Sequence, residues 1–324
     1  MPSINEITKY VKKHVLLTIT REEYKQRINK RIRNDLEELF TPEEPEKYII
    51  WNAIEMFSYI RHAQGLLYVS SIFDNNNTEL NKYLAKYYIT SALSLICEYY
   101  NIHSERNSFS EGLAYQGETL LMTFACNRFE LIEPCYPKII ESILNGKMSR
   151  SLPWGGDGEG NVVPPQPQRL GILAIEMMAS ERKQTIDWAS ANIPVDPFYQ
   201  RFCQEALYST DEQELTYWLT KLCDNHLQWT SLFMENAVKQ PSTGYEIYDN
   251  MLLLWPFEYQ AVRNFRARYG LSTPEIDHPL LKTPMAIDHR PNFALWQKPE
   301  WFDELVGKVT AVNPELNFVK EWVK

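Results

Sequence analysis

Apolar residues recur every three or four positions along most of the chain, which is the spacing of an amphipathic helix. The first clear stripe consists of Tyr24, Ile28, Ile32, Leu36 and Leu39. Thr20 and Glu23 precede it with the spacing of a capping box, in which two side chains satisfy the first free N–H groups of a helix. No clear run of alternating apolar and polar residues bounded by a hairpin turn is found. The pattern therefore predicts an all-α fold.

Short polar breaks divide these helical stretches into pairs. A long helical pattern runs from Tyr48 to about Ile72, and a second from Glu79 to Asn101. The sequence DNNNT between them reads as an exposed turn, so the two helices are expected to pair antiparallel. We expect antiparallel helical hairpins packed into one elongated, bundle-like domain.

A change of composition between Asn145 and Gln168 marks the longest irregular segment, NGKMSRSLPWGGDGEGNVVPPQPQ. It predicts an N-terminal helical subdomain at 1–144, a Gly/Pro-rich loop at 145–168 and a C-terminal helical subdomain at 169–284. The tail at 285–324 contains short amphipathic pieces. The helical core is expected to continue across the loop, which also marks a candidate subdomain boundary. Loops of this length inside a compact domain are uncommon unless they bind something or are disordered.

The loop does not match a known ligand motif. Its glycines are misplaced for a dinucleotide loop, and no strand precedes them. Asp157, Glu159 and Asn161 follow the start of a calcium loop, but Val162 and Gln168 stand where glycine and glutamate are required. A flexible loop or one that contacts a protein partner is the interpretation that we favour.

The second half of the chain carries a distinctive series of helix signals. Ser209 and Glu212 have capping-box spacing. An apolar stripe follows that consists of Leu215, Trp218, Leu219, Leu222, His226 and Trp229. Pro256 then interrupts a second apolar run, Gly270 is a candidate left-handed cap, and the proline-rich stretch LSTPEIDHPLLKTP ends the series.

This order of elements, from about Leu113 to Pro284, resembles the large helical immunity proteins of polymorphic toxin systems, in particular immunity protein 49. It is also similar, in a less complete match, to the immunity partners of the PoNe DNase toxins. The closing Leu280, Leu281 and Pro284 depart from the Tyr-Leu-Pro or Tyr-Pro ending of those families. The resemblance implies a protein that binds and neutralises a cognate secreted toxin, such as a type VI or Rhs-like effector. It implies no catalytic residue.

Composition and charge restrict the partners and the compartment. Apolar residues make up 44% of the chain, which is typical of an ordered globular protein, and the formal net charge is −9. Nucleic acid and anionic membranes select basic surfaces, so neither is expected as the main partner. The N-terminus lacks a signal-peptide pattern, and no apolar run approaches a membrane span. Five cysteines without a CxxC motif indicate buried free thiols in a reducing cytoplasm.

Two other function classes stay open, a helical enzyme and a helical adaptor. The dipeptides Asp277-His278 and Asp288-His289 could form an acid–base or metal cluster, although both lie beside prolines, where aspartate usually caps a turn. His226 lies on the apolar stripe and is predicted to be a hydrogen-bonded core residue. No cofactor, metal or catalytic residue is predicted.

The toxin-binding surface is predicted from charge. Residues 195–250 contain nine acidic and three basic residues, an excess of six negative charges. The candidate binding residues are Asp211, Glu212 and Glu214, together with Trp154, Asp157 and Glu159 of the loop. The expected partner is a toxin with a basic surface, such as a nuclease domain. Reversing the first three acids to lysine is expected to leave helical content unchanged and to slow association.

Overall fold

The structure is a computed structural model that describes residues 1–16, 18–43, 45–76, 78–101, 113–145, 167–232, 246–247 and 249–321. It is all-α, as the spacing predicts, and the described residues contain one isolated β-bridge, between Thr230 and Ile247. No helix in these ranges is long and apolar enough to cross a membrane. The α-helices are α1 Ile4–Tyr10, α2 Arg21–Leu39, α3 Glu46–Phe73, α4 Leu80–Tyr99, α5 Leu113–Ala125, α6 Tyr136–Leu144, α7 Arg169–Glu181, α8 Pro197–Arg201, α9 Glu212–Trp229, α10 Phe257–Arg268 and α11 Glu300–Val312.

The chain groups into two compact units. The first unit contains Met1–Val11 and Asn107–Asp288, and the second contains Lys12–Arg106 and His289–Lys324. The subdomain boundaries predicted from composition stay predictions. The loop predicted at 145–168 lies mostly outside the described residues.

The second unit is built on the α3–α4 hairpin, the most extensive helix pairing among the described residues. Asn75 has a φ of 53° in the connecting turn, a conformation that asparagine tolerates better than most residues. The capping box of Thr20 and Glu23 is present at the start of α2 and confirms that prediction. Helix α11, from the C-terminal part of the chain, packs against α2 and α3.

In the first unit, α5 and α7 cross at a pair of glycines. A Cβ atom on Gly117 would lie 2.2 Å from the backbone nitrogen of Gly171, and one on Gly171 would lie 2.5 Å from the carbonyl oxygen of Leu113. The two backbones are thus in direct contact, which only glycine permits. Since α5 precedes the predicted loop and α7 follows it, the core of this unit does continue across the loop.

Helix α10 lies against α5 and ends in a Schellman motif. Gly270 has a φ of 68°, and the N–H of Leu271 bonds to the carbonyl oxygen of Arg266 at 3.1 Å. The predicted left-handed cap is confirmed. At the other end, Pro256 occupies the N-cap of α10, and the apolar residues before it form turns.

The Arg266 side chain is fully buried and holds the end of α10 to the segment before α9. Its guanidinium donates to the carbonyl oxygens of Leu207 at 2.8 Å, Ser209 at 2.9 Å and Ser272 at 2.6 Å. A buried cation needs such acceptors because it has lost its water. Arg266 therefore fixes the position at which α9 begins.

All five cysteines are free and buried, which confirms the prediction of unpaired thiols. Burial raises the pKa of the Cys135 thiol to about 12. A thiol with a raised pKa is a poor nucleophile, so Cys135 behaves as a small apolar residue.

The glycine crossing gives a direct test of the fold. Gly117→Ala is expected to lower the free energy of unfolding by about 3 kcal/mol, because the new methyl group has no room beside Gly171 and Leu170. Gly307→Ala in α11 is the matched control: its Cβ would meet nothing within 4 Å. It is expected to gain about 0.5–1 kcal/mol from helix propensity. Urea unfolding measures both, and a Gly117→Ala variant as stable as the parent would contradict the crossing.

Candidate protein-binding site

Helix α9 starts at Asp211, two residues later than the predicted capping box. Asp211 Oδ1 accepts hydrogen bonds from the N–H groups of Gln213 at 2.9 Å and Glu214 at 3.0 Å. The N–H of Ser209 still bonds to the carbonyl oxygen of Ala206 at 3.0 Å, so Ser209 belongs to the preceding turn. The capping box of Ser209 and Glu212 is therefore wrong, and Asp211 is the N-cap.

This result changes the expected effect of reversing the three acids. Asp211 holds two of the N–H groups that a helix start leaves free, and lysine cannot accept those bonds. A triple reversal of Asp211, Glu212 and Glu214 would therefore remove the cap as well as the charges, at a cost of about 1 kcal/mol, and its effect on helical content stays a prediction. Glu212 and Glu214 are exposed first-turn acids, favourable beside the positive end of the helix dipole.

Two exposed aromatic side chains adjoin these acids. Tyr217, one turn after Glu214, is 59% exposed, and Tyr208, just before the helix, is 39% exposed. We call the group of Tyr208, Asp211, Glu212, Glu214 and Tyr217 the α9 face. Tyrosines were not among the predicted site residues, although their positions beside the acids are visible in the sequence.

The opposite side of α9 is anchored in the core. The predicted stripe is confirmed for its buried members, which are Leu215, Trp218, Leu219, Leu222 and His226. The indole of Trp218 packs against the rings of Phe198 and Phe202, with ring centroids 5.4 and 6.1 Å apart. The α9 face thus sits on a rigid support.

The other described acids of residues 195–250 do not add free negative charge to the α9 face, because each is buried or paired with a cation. Glu246 and Asp249 are buried, and Asp196 pairs with Arg169 at 2.9 Å. Glu205 pairs with Arg201 and Asp224 with Lys221. Glu235 and the predicted loop residues Trp154, Asp157 and Glu159 lie outside the described residues.

Glu246 caps a helix from a distant part of the sequence. Its carboxylate accepts from the backbone N–H groups of Arg169 and Leu170, both at 2.9 Å, and from the Arg169 guanidinium at 3.0 Å. It therefore closes the start of α7. The guanidinium carbon of Arg169 also lies 3.5 Å from the centroid of the Trp229 ring, at the end of α9. Sequence reasoning missed this cluster because no local signal links residues 77 positions apart.

Burial controls the titration of this cluster. It raises the pKa of Glu246 to about 7, against the opposing effect of Arg169 and the two backbone N–H groups. The pKa of the buried Tyr199 phenol is also raised well above its ordinary value, first by burial and then by the charges of Glu246 and Glu258. Tyr199, Glu246 and Arg169 thus influence one another in the interior of the first unit.

His226 is a hydrogen-bonded core residue, as predicted. It is 1% exposed, with Nδ1 2.7 Å from Glu258 Oε2 and Nε2 3.2 Å from the carbonyl oxygen of Leu253. Because a carbonyl oxygen can only accept, Nε2 is the donor to Leu253, and Nδ1 faces the Glu258 carboxyl. The pair joins α9 to α10.

The two Asp-His dipeptides have separate structural roles. His278 Nδ1 accepts from the N–H of Leu280 at 3.1 Å, while Asp277 pairs with Lys282 at 2.5 Å. His289 Nδ1 lies 2.7 Å from the Tyr68 hydroxyl. Asp288 pairs with Arg263. Within the described ranges, no three His, Cys, Asp or Glu side chains come together in a group that could hold a metal ion.

Comparison with known proteins identifies no relative: no family model, curated protein or solved structure matches the chain. Among the described residues, the exposed acids and tyrosines of the α9 face are the candidate site.

Glu246 makes stability depend on pH in a defined direction. The pKa of Glu246 is about 7 in the folded protein and 4.5 in the unfolded chain, so folding favours the protonated form. The contribution of Glu246 to the free energy of unfolding is therefore complete below pH 4.5 and is lost as the pH rises through about 7. The corresponding loss is about 3 kcal/mol. Urea unfolding between these pH values should show a free energy of unfolding that falls with rising pH for the parent and not for Glu246→Gln. That variant is also less stable at low pH, because its NH2 group faces backbone donors.

The matched control for this measurement is Glu205→Gln, which changes an exposed glutamate of the same segment. Its stability should follow the parent across the series. A Glu246→Gln variant with the parent's pH slope would show that Glu246 does not titrate as described.

Proposed function

We propose that this chain is an immunity protein that binds and neutralises a cognate secreted toxin. The observation that carries the proposal is the α9 face, where exposed acids and tyrosines stand together on a rigid helix. Tyrosine is enriched at protein interfaces, and it supplies a large contact area with little loss of conformational freedom. Exposed acids accelerate the capture of a basic partner.

The interior of the first unit supports binding over catalysis. His226, Glu258, Arg169 and Glu246 are buried, and each is engaged by contacts within the chain. A catalytic group must reach its substrate, whereas these side chains hold helices together. An inhibitor has no bond to make or break; it needs a rigid surface and slow dissociation.

The partner that fits the face has a basic surface, such as the nucleic-acid-binding cleft of a nuclease toxin. Glu212 and Glu214 would approach its cations, and Tyr217 would supply apolar contact beside them. The acids should act mainly on the rate of association and the tyrosine mainly on the rate of dissociation.

A charge experiment tests the acids. Glu212→Lys/Glu214→Lys keeps the Asp211 cap and is expected to slow association with the toxin about tenfold at low salt, with a smaller effect at high salt. The control is Glu37→Lys/Glu38→Lys, two exposed acids at the end of α2 in the second unit. It makes the same change in net charge and should associate as the parent does.

The assay uses candidate toxins from the genes that neighbour this one. Protection is measured as growth during co-expression, and rates are measured by surface plasmon resonance. Circular dichroism confirms that each variant is folded. If Glu212→Lys/Glu214→Lys binds and protects as the parent does at low salt, the α9 face is not the binding surface. If the parent gives no protection, the immunity proposal itself is wrong.

A second variant tests the aromatic contact. Tyr217→Ala is expected to speed dissociation at least about tenfold while changing association little, because an interface tyrosine contributes chiefly after docking. Tyr48→Ala in α3 is the control, since Tyr48 is 45% exposed and lies in the second unit. Equal dissociation rates for the two variants would exclude Tyr217 from the interface.

A further inference from the structure

Helix α2 of the second unit carries a run of basic residues in a chain whose formal net charge is −9. The stretch between Glu23 and Asp35 contains no acid, and its bases are Lys25, Arg27, Lys30, Arg31 and Arg33. A concentration of one sign of charge on a helix attracts a partner of the opposite sign. The run is therefore a candidate interaction surface.

Two of these bases are already engaged within the chain. Lys25 pairs with Glu79 at 2.5 Å. Arg31 lies 3.6 Å from Asp35, and its guanidinium carbon is 4.0 Å from the centroid of the Tyr59 ring. These two side chains hold α2 in its own unit and leave the other three bases to face outwards.

The remaining bases form a ridge on the exposed side of the helix. Arg27, Lys30 and Arg33 recur at every third residue, all three are exposed, and none forms an ion pair with any residue that the structure describes. The exposed Gln26 and Asn29 between them carry no charge. We call Arg27, Lys30 and Arg33 the α2 ridge.

Nearby acids leave the first two bases of the ridge free. Glu23 lies one turn before Arg27, but its carboxylate accepts from the N–H and the hydroxyl of Thr20 in the capping box. No acid stands three or four residues from Lys30 on α2. Arg27 and Lys30 are therefore the bases that define the surface.

The α9 face has the chemistry that such a ridge would bind. Glu212 and Glu214 are exposed and form no ion pair with any described residue, and Tyr217 is 59% exposed beside them. A guanidinium group binds carboxylates and also stacks on tyrosine rings. The chain thus exposes two surfaces that complement each other in charge and in side-chain type.

We propose that the α2 ridge of one copy of this chain binds the α9 face of a second copy. Unlike surfaces meet, because two α9 faces would place acids against acids and two α2 ridges would place bases against bases. A contact between two single helices buries a small area, so the expected Kd is about 10–100 µM at low salt. This inference does not rest on the proposed immunity function, although a toxin bound to the α9 face would compete with the second copy.

Sedimentation velocity of the full chain, with no toxin present, tests the self-association. In low salt the average sedimentation coefficient should rise with protein concentration up to about 100 µM. In about 0.5 M salt it should return to the value of the monomer, because salt screens exposed charges. A monomer at every concentration in low salt would overturn the proposal.

Charge reversal of each surface should abolish the association. Arg27→Glu/Lys30→Glu changes the ridge, and Glu212→Lys/Glu214→Lys changes the α9 face. Both variants keep the helix caps, and circular dichroism checks that they are folded. Each is expected to stay monomeric at about 100 µM in low salt. Association of either folded variant equal to the parent's would exclude that surface and contradict the proposal.

The matched control is Arg290→Glu/Lys320→Glu. It makes the same change in net charge as the ridge variant, at two exposed positions of the second unit outside α2. It should associate as the parent does. A control that is as monomeric as the ridge variant would show that net charge, and not the ridge, governs association.

Mixing the two reversed variants tests whether the two surfaces meet directly. In the mixture, the acidic α2 of one variant faces the basic α9 of the other, so association should return although each variant alone is monomeric. A mixture that stays monomeric would overturn the proposal.

A nucleic acid is the other class of partner that selects a basic helix. A short DNA duplex added to the parent in the same buffer is the probe. If the parent bound the duplex and did not self-associate, the ridge would be a nucleic-acid surface and the proposal would be wrong.

Discussion

The meeting of two helix starts in the core of the first unit is the constraint on which this unit depends. Helices α5 and α7 cross near their N-terminal ends, at Gly117 and Gly171, so their partly positive ends lie close together. Two side chains satisfy the free N–H groups there. Gln168 accepts from the N–H of Ala114 at 2.9 Å, and Glu246 closes the start of α7. Glu246 thus supplies hydrogen-bond acceptors to a helix start that lies in the core.

That crossing is linked to the candidate binding surface through α9. The carbonyl oxygen of Trp229 accepts from the N–H groups of Glu246 at 3.0 Å and Ile247 at 3.1 Å, and the Trp229 ring stacks on Arg169. The end of α9 is thus bound to the same cluster that closes α7. Its start is held by the Asp211 cap and by the carbonyl contacts of Arg266. A helix fixed at both ends can present its exposed face without rearrangement, which favours slow dissociation of a partner.

The sequence pattern correctly predicted those features that depend on residues close to one another in the sequence. The all-α fold, the α3–α4 hairpin, the capping box of Thr20 and the left-handed cap at Gly270 each depend on residues within a few positions of one another. The site was only partly predictable. Asp211 is the cap and Ser209 is not, because the preceding turn includes Ser209. Glu246 is buried because it caps α7, which begins 77 residues earlier in the sequence. Contacts of that separation leave no trace in a local pattern.

Hydrogen–deuterium exchange of the chain with and without its toxin tests the central claim most directly. The first turn of α9 lies at the exposed face, so a bound toxin would shield its amides from solvent. We predict that the toxin slows exchange in peptides covering residues 207–221 and leaves exchange in those covering 300–312 unchanged. Protection confined to other segments, with 207–221 unaffected, would contradict it.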